Sequence, residues 1–497
     1  VALDLRARRP HARLRARRPE PRVITQQDLV QHLARRATGA WSVVERVQDL
    51  AFAADQPARQ RRDHRTRLRL IVHADDPRGR GSARLDIDPF DGSPGELVDQ
   101  AIALALASVG PSWTGAPPSA PAKVDLVDPD LVERELGAVA ASTLSHLRRP
   151  DQLTTTAAID VLREKVTVVS SAGFHATWLA TSLRGRALLA SRDHSLIVAR
   201  HARRLDAFDL DAALADAAAD LTLLADAGPP TPGPCAVWLG PEAILPSTGI
   251  ALIGAGLDDL PTTGSASSPS SSSSSSSPSA FSDNAISSPA SASASAAGAD
   301  HGLWAIFARQ ADAAVERQGL TRYRLRSEIS RGASQLAEPL SISSDGALDF
   351  ATLSVPVTDD AIAIRRFPLI DRGIAVGLGL SPREAALRGT DPNGEVRNLV
   401  VSPGTWTPAP LPTTRTIEIR RLHAATLDPH TGDATLDIAL ALDHRPDRPA
   451  PIAFTGGTLR LDLISALARA RRSAALLRRA AYHGPTALLI DAADLIA

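Results

Sequence analysis

The chain has 497 residues, about three times a ~150-residue domain, so two or three domains are expected. Its 55 basic and 55 acidic residues cancel, which excludes a uniformly basic nucleic-acid binder and a wholly acidic disordered chain. Nearly all the basic residues are Arg, since Lys123 and Lys165 are the only lysines.

Residues 1–22 carry eight Arg against Asp4 and Glu20 and are broken by three prolines, a composition that predicts a disordered extension. An arm for nucleic acid or an acidic partner is the competing reading, but the segment has no aromatics for stacking bases. Thr25 followed by Asp28 predicts a capping box, with Leu29, Val30 and Leu33 on one helix face and Thr38-Gly39 as its end. Strands are expected over Trp41 to Leu50 and Arg65 to His73, where Arg67, Leu68, Arg69 and Leu70 alternate. Pro94 to Val109 reads as a helix and Gly110 to Ala122 as a connector. Val124 to Val127 reads as strand-like, and Pro129 to about Arg148 as a helix. Two strands follow, Ala158 to Val169 and Thr177 to Ser182, and then an amphipathic helix marked by Leu210, Leu214, Ala217, Leu221 and Leu224.

Gly228 to Pro234 reads as a hinge before a buried strand, Cys235 to Leu239. A Ser-rich tract at about 262–299 is too long and too polar for an ordered connection. From His301 a helix is expected to end near Gly319, after which the pattern is mostly β, with strict alternation at Ile417/Ile419 and Leu436/Ile438/Leu440/Leu442. A last helix is expected to present Leu463, Leu467, Ala470, Ala474, Leu477 and Ala481, with Gly484-Pro485 as its stop and Arg469, Arg471, Arg472, Arg478 and Arg479 on a solvated face. The expected organisation is therefore a disordered 1–22, an N-terminal α+β domain over 23–227, and a mostly-β C-terminal domain over 228–497 that carries the 262–299 insertion.

A search for chemistry returns little. The single cysteine, Cys235, excludes a disulfide framework, a Cys-rich zinc site and a dithiol motif; behind Pro234 in an apolar strand it reads as an inert thiol. No His is followed by Glu, so neither His-Glu-x-x-His nor His-Glu-x-x-x-His occurs. The cluster His423, Asp428, His430, Asp443 and His444 matches no helix-face pair, and surface residues are the plainer reading. There is no Gly-x-Ser-x-Gly elbow and no Walker-type Gly-Lys-Ser/Thr. Ala101 to Val109 is too short to cross ~30 Å of hydrocarbon, and no signal-peptide pattern is found, so a cytoplasmic location is the expectation.

Several segments together resemble the TldD/PmbA family, bacterial and archaeal proteins once called modulators of DNA gyrase. They are Val168-Val169-Ser170-Ser171-Ala172-Gly173-Phe174, Pro232 to Ala243, Phe367 to Ile374, Glu384-Ala385, Arg397-Asn398-Leu399 to Pro403-Gly404, and Gly484 to Ile490, in family order. The resemblance implies a two-domain α+β protein. It also implies a heterodimer in which a TldD-type subunit carries a metal-binding His-Glu-x-x-x-His helix. A TldE/PmbA-type partner lacks that helix and helps to form the peptide channel, and such pairs degrade unfolded peptides or trim leader peptides.

In active subunits the metal helix follows the segment matching Leu239 to Ala243. Here Ile244 to Leu252 contains no His, Glu or Asp, which puts the chain on the non-catalytic side. The expectation is no catalytic residue, no metal ligand and no cofactor in this chain, with the metal in a TldD-like partner. That partner is a metal-bearing homologue or a second copy of this chain, the substrate is a peptide, and neither membrane nor nucleic acid is expected. Arg397 and Asn398 are candidates for contacting peptide. The alternatives are a standalone binding protein with an Arg-rich arm, or a self-contained hydrolase using Cys235 or the His423–His444 cluster.

Overall fold

The computed structural model describes residues 23–55, 58–87, 92–115, 119–247, 300–428 and 430–497. The Arg-rich 1–22 stretch and the Ser-rich 262–299 tract lie outside them.

Six long strands build the first sheet: β1 (Trp41–Asp55), β2 (Ala58–Asp76), β3 (Gly79–Ile87), β4 (Thr154–Ser170), β5 (His175–Ala190) and β6 (Ser195–Ala202). They are antiparallel throughout, in the order β3-β2-β1-β4-β5-β6. Because side chains alternate across a strand, pairs such as Val43↔Leu70 and Val161↔Leu183 share one face. That face is buried beneath α1 (Gln26–Arg36), α2 (Pro94–Ala107), α4 (Leu136–Ser145) and α5 (Leu210–Ala225), with the short α3 (Pro129–Glu133) preceding α4. The capping box at Thr25 and Asp28 starts α1, whose Leu29 and Leu33 are fully buried. The opposite face carries Val44, Val166 and Val168, packed on Val357 and Ala361 of the second domain, and then turns polar at Arg46, Arg67 and Arg69.

The expected strands are present but longer, and β6 joins them. The expected 129–148 helix is broken. Arg134 is extended, and the Glu135 carboxylate accepts the backbone N–H groups of Gly137 and Ala138 to start α4 afresh. Val124 to Val127 forms no strand.

The second domain opens with β7 (Gly233–Leu239) and α6 (Pro241–Ile244) and is organised around two sheets. One contains β8 (Ile342–Asp345), β9 (Arg366–Asp371), β10 (Ile374–Ala375) and β11 (Asn398–Val401), and is completed by β17 (Leu476–Arg479) and β18 (Tyr482–Pro485). The other joins β7 to β12 (Thr416–Leu427), β13 (Asp433–His444), β15 (Thr458–Asp462) and β19 (Leu488–Ile496), with β14 (Ile452–Phe454) and β16 (Arg471–Arg472) at its margins. Pairings β12–β7, β7–β19, β19–β15, β15–β13 and β13–β12 close on themselves, which removes sheet edges from the core. Trp304, Phe307 and Tyr482 are buried between these layers, with Trp304 ring centroids 5.8 Å from Phe307 and 6.1 Å from Tyr482.

Two expected helices are corrected. The stretch after His301 divides into Gly302–Trp304, Ala305–Gln310 and Ala313–Arg317, because Asp312 caps a new start. The last helix spans only Leu463–Arg469. Beyond it Arg471–Arg472 and Leu476–Arg479 are strands, Gly484-Pro485 lies at the end of β18, and Arg472 is buried at 1% exposure.

Candidate functional site

Strand β7 is apolar and buried from Cys235 to Leu239, and Gly240-Pro241 turns it into α6. This places Glu242 where the two domains meet. Its Oε1 accepts from Arg200 Nη2 at 2.7 Å and from Arg479 Nη1 at 2.6 Å. Its Oε2 lies 3.2 Å from Arg421 Nη1 and accepts from Ser247 Oγ at 3.2 Å. The three arginines come from β6, β12 and β17, so both domains close on a single carboxylate. Burial alone would raise that carboxyl, but Arg200, Arg479 and Arg421 hold it at about 2. Asp220 of α5 extends the network, accepting from Arg420 Nε at 2.6 Å and Arg421 Nε at 2.7 Å.

The chain re-enters the described structure at Asp300, beside β5 and β6. Ser182 Oγ lies 2.9 Å from His201 Nε2, and His201 Nδ1 lies 3.4 Å from Asp300 Oδ1. This has the order of a Ser-His-Asp triad, but its electrostatics oppose one. Burial pushes the imidazole down by more than Asp300 pulls it back up, and Arg184 and Arg203 add to the fall, while Arg184 Nε also reaches Nε2 at 3.4 Å. A general base must accept a proton there, and this one is crowded by cations. Asp300, raised by burial but held at about 2 chiefly by His201 and Thr352, is an acceptor for both. Next to it a cavity of about 400 Å³ is lined by His201, Arg203, Arg204, Phe350, Arg478 and Arg479. Asp206 and Asp209 line it as well, Asp206 paired with Arg204 and Asp209 3.9 Å from Arg479, so its arginines are partly neutralised; Arg204 stacks 4.9 Å from the Phe350 ring centroid.

A metal does not fit this arrangement. The one carboxylate on α6 is already neutralised by three guanidiniums, which would repel a divalent cation. Among the described residues no group of three His, Cys, Asp or Glu is gathered that could hold a metal ion.

The residues singled out in the sequence are scattered. Asn398 is fully buried at the start of β11: its Nδ2 donates to the Asp345 carbonyl and to Ser354 Oγ, and its Oδ1 accepts from Leu353 N–H. Arg397 braces the same loop through Nε to the Gly394 carbonyl, its own carbonyl accepts from His301 Nε2 at 2.6 Å, and its terminal nitrogen is 3.9 Å from Glu395. The Cys235 thiol is buried, pushed up to about 11 by burial, and points at the Ala493 carbonyl. The His423–His444 residues have separate partners. His430 bonds the Leu320 carbonyl, His444 lies 3.0 Å from Glu418, and Asp443 binds Arg415 and Arg445.

Sequence reasoning missed the Glu242 network. One signal was available: an acid within the apolar run Trp238 to Leu245 can be buried only with cations to receive it.

Residues 304–443 match the family model of the PmbA/TldA metallopeptidase C-terminal domain. The fold matches a Bacteroides thetaiotaomicron protein described as a candidate modulator of DNA gyrase, with a TM-score of 0.68 and 12% identity over 95% of this chain and 97% of that one. It matches a Thermotoga maritima protein of the same description at 0.66 and 12%, over 95% and 100% of the two chains. TldE from Thermococcus kodakarensis matches at 0.63 and 13%, over 95% and 99%. At these identities the likeness is one of fold. No curated protein matches the sequence.

Proposed function

We propose that this chain, whose residues 304–443 match the C-terminal domain of the PmbA/TldA metallopeptidases, is the non-catalytic, TldE/PmbA-like subunit of a TldD-type metallopeptidase complex acting on unfolded or leader peptides. One observation carries the proposal. Just before the segment in which an active subunit would present metal-binding residues, this chain has Glu242 locked by Arg200, Arg421 and Arg479, and that segment itself, Ile244 to Leu252, has no His, Glu or Asp. Lone pairs for a metal are therefore expected from the partner, a metal-bearing homologue in a heterodimer. This chain's contribution is peptide contact. The arginine-rich cavity beside Arg203 and Arg478 is the place for a peptide carboxylate, and Arg397, its Nε on the Gly394 carbonyl and its terminal nitrogen 3.9 Å from Glu395, stands with Asn398 as a candidate contact outside that cavity.

The test is metal analysis and peptide hydrolysis of the purified chain, alone and with a His-Glu-x-x-x-His homologue. Alone it is expected to hold no stoichiometric metal and to leave an unfolded peptide intact; the pair is expected to cleave that peptide in a chelator-sensitive way. Chelator-sensitive cleavage by the chain alone, with one metal bound per chain, would overturn the proposal. A self-contained hydrolase is disfavoured by the raised Cys235 thiol, which at neutral pH is protonated and no nucleophile.

A further inference from the structure

Strand β3 covers only part of β2. Its last pair is Ile87 with Leu68, and from there β2 runs on through Ala58–Arg67 with β1 on one side. Among the described residues nothing pairs with the other side. Eight residues of strand edge, Gln60–Arg67, roughly 26 Å at ~3.3 Å per residue, thus offer at alternate residues backbone donors and acceptors that pair with no described residue. A cavity of about 860 Å³ starts where β3 stops, lined by His64 to Arg69 of β2, by Asp86 and Ile87, and by Arg46 and Gln48 of β1. It is the space that a strand in line with β3 would enter.

The free edge has a definite charge. The pairs Arg61↔Phe52, Arg65↔Gln48 and Arg67↔Arg46 put Arg61, Arg65 and Arg67 on one face, with Asp63 between them. Asp63 is shared by Arg61 and Arg65, and Arg67 has no ion pair among the described residues. One carboxylate therefore offsets two of three guanidiniums spaced every second or fourth residue, which leaves this face net positive.

We propose that the free edge of β2, Gln60–Arg67, takes an extended acidic peptide as an added strand in line with β3, with carboxylates at alternate residues facing Arg61, Arg65 and Arg67. Main-chain hydrogen bonds would supply sequence-independent affinity and the alternate carboxylates the selectivity. The chain's own residues 1–22, with eight Arg against two acids, carry the wrong charge to occupy it. A nucleic acid matches the charge but not the edge, because phosphates only accept hydrogen bonds while a strand edge alternates donors and acceptors. The inference is independent of the subunit role proposed above.

Fluorescence anisotropy of the full-length chain tests it, with a labelled ten-residue peptide carrying Glu at every second position. Three controls are a peptide of equal composition with its Glu residues in one block, the alternating peptide N-methylated at every second residue, and a single-stranded oligonucleotide. The alternating peptide is expected to bind, and to weaken steeply with salt because the arginines are exposed. Blocking or N-methylation is expected to cost at least tenfold, as is the R65E/R67E variant. Since Arg67 makes no ion pair, Arg67→Ala keeps the test valid if the double variant fails to fold, with a smaller loss expected. Equal binding of the blocked or N-methylated peptide, unchanged binding by the variants, preference for the oligonucleotide, or no peptide binding would each overturn it. In the last case the arginines serve only to keep the edge from pairing.

Discussion

Glu242 shows how much a single side chain can be asked to neutralise. It is 8% exposed and its carboxyl is held at about 2, against an ordinary 4.5, so it is ionised throughout the physiological range. A carboxyl depressed in the folded state contributes stability above its ordinary value, and that contribution is lost as pH falls toward the folded value. The Glu242 contribution is thus expected to be level from pH 7 to 5 and to be lost between about 4.5 and 2, on the order of 3 kcal/mol, while the buried His201 and His301, whose imidazoles burial pushes down, already lower stability as pH falls below about 6.5. Asp300 and Asp359, each also held at about 2, steepen the same window. Glu242→Gln removes the charge but leaves Arg200, Arg421 and Arg479 buried together. It is expected to cost roughly 3–5 kcal/mol at pH 7 and to flatten the acid limb. Urea unfolding at a series of pH values reads both effects, and a variant with the wild-type midpoint at pH 7 would refute the role given to this carboxylate.

At the scale of elements, what was legible in the sequence was local. The alternation through Leu68 and Leu70, the capping box at Thr25 and the Leu210–Leu224 stripe each state their burial directly, and each element stands where expected. Two failures were local, since Glu135 and Asp312 each cap a fresh helix start inside a stretch expected to be one helix, and the last was a local pattern overruled by a distant partner. Leu463, Leu467 and Ala470 keep helical spacing, but the chain turns extended at Ala470 because Arg472 is drawn inward to carbonyls of other loops. Its Nε donates to the Ser402 carbonyl and its Nη2 to those of Glu338 and Pro339. No window of sequence around Arg472 contains those acceptors. The Glu242 network was hidden likewise, its arginines lying on strands far apart in the chain. Arg472→Leu leaves three half-buried carbonyls without this donor and is expected to destabilise by about 1–3 kcal/mol. Arg472→Lys, a single point charge in place of a planar fork, should recover only part of this. Equal urea midpoints for Arg472→Leu and the parent chain would show that the guanidinium does not hold these loops.

For the molecule as a whole, the two domains are joined largely through arginine. Asp359 accepts from Arg46 at 2.9 Å and Arg69 at 2.8 Å, Asp220 receives Arg420 and Arg421, and Arg203 donates to the carbonyls of Ala351, Thr352 and Ser354. The 248–299 connection departs from this junction and returns to it. A Cβ on Gly302 would sit 2.1 Å from the Ile244 carbonyl oxygen, so the outgoing and returning backbones touch. Glycine is required there, since its φ is +56° and there is no room for a side chain. A connection whose ends already meet has no distance to span, and closing it costs entropy that grows only with the logarithm of its length. Replacing residues 262–299 by about four Gly/Ser residues shortens the connection to roughly a third. The expected gain is about 1 kcal/mol, from (3/2)RT times the logarithm of that ratio. The shortened chain should therefore unfold at an equal or slightly higher urea concentration and still support peptide cleavage with a metal-bearing partner. A loss of several kcal/mol would mean instead that the Ser-rich tract makes contacts on which the junction depends.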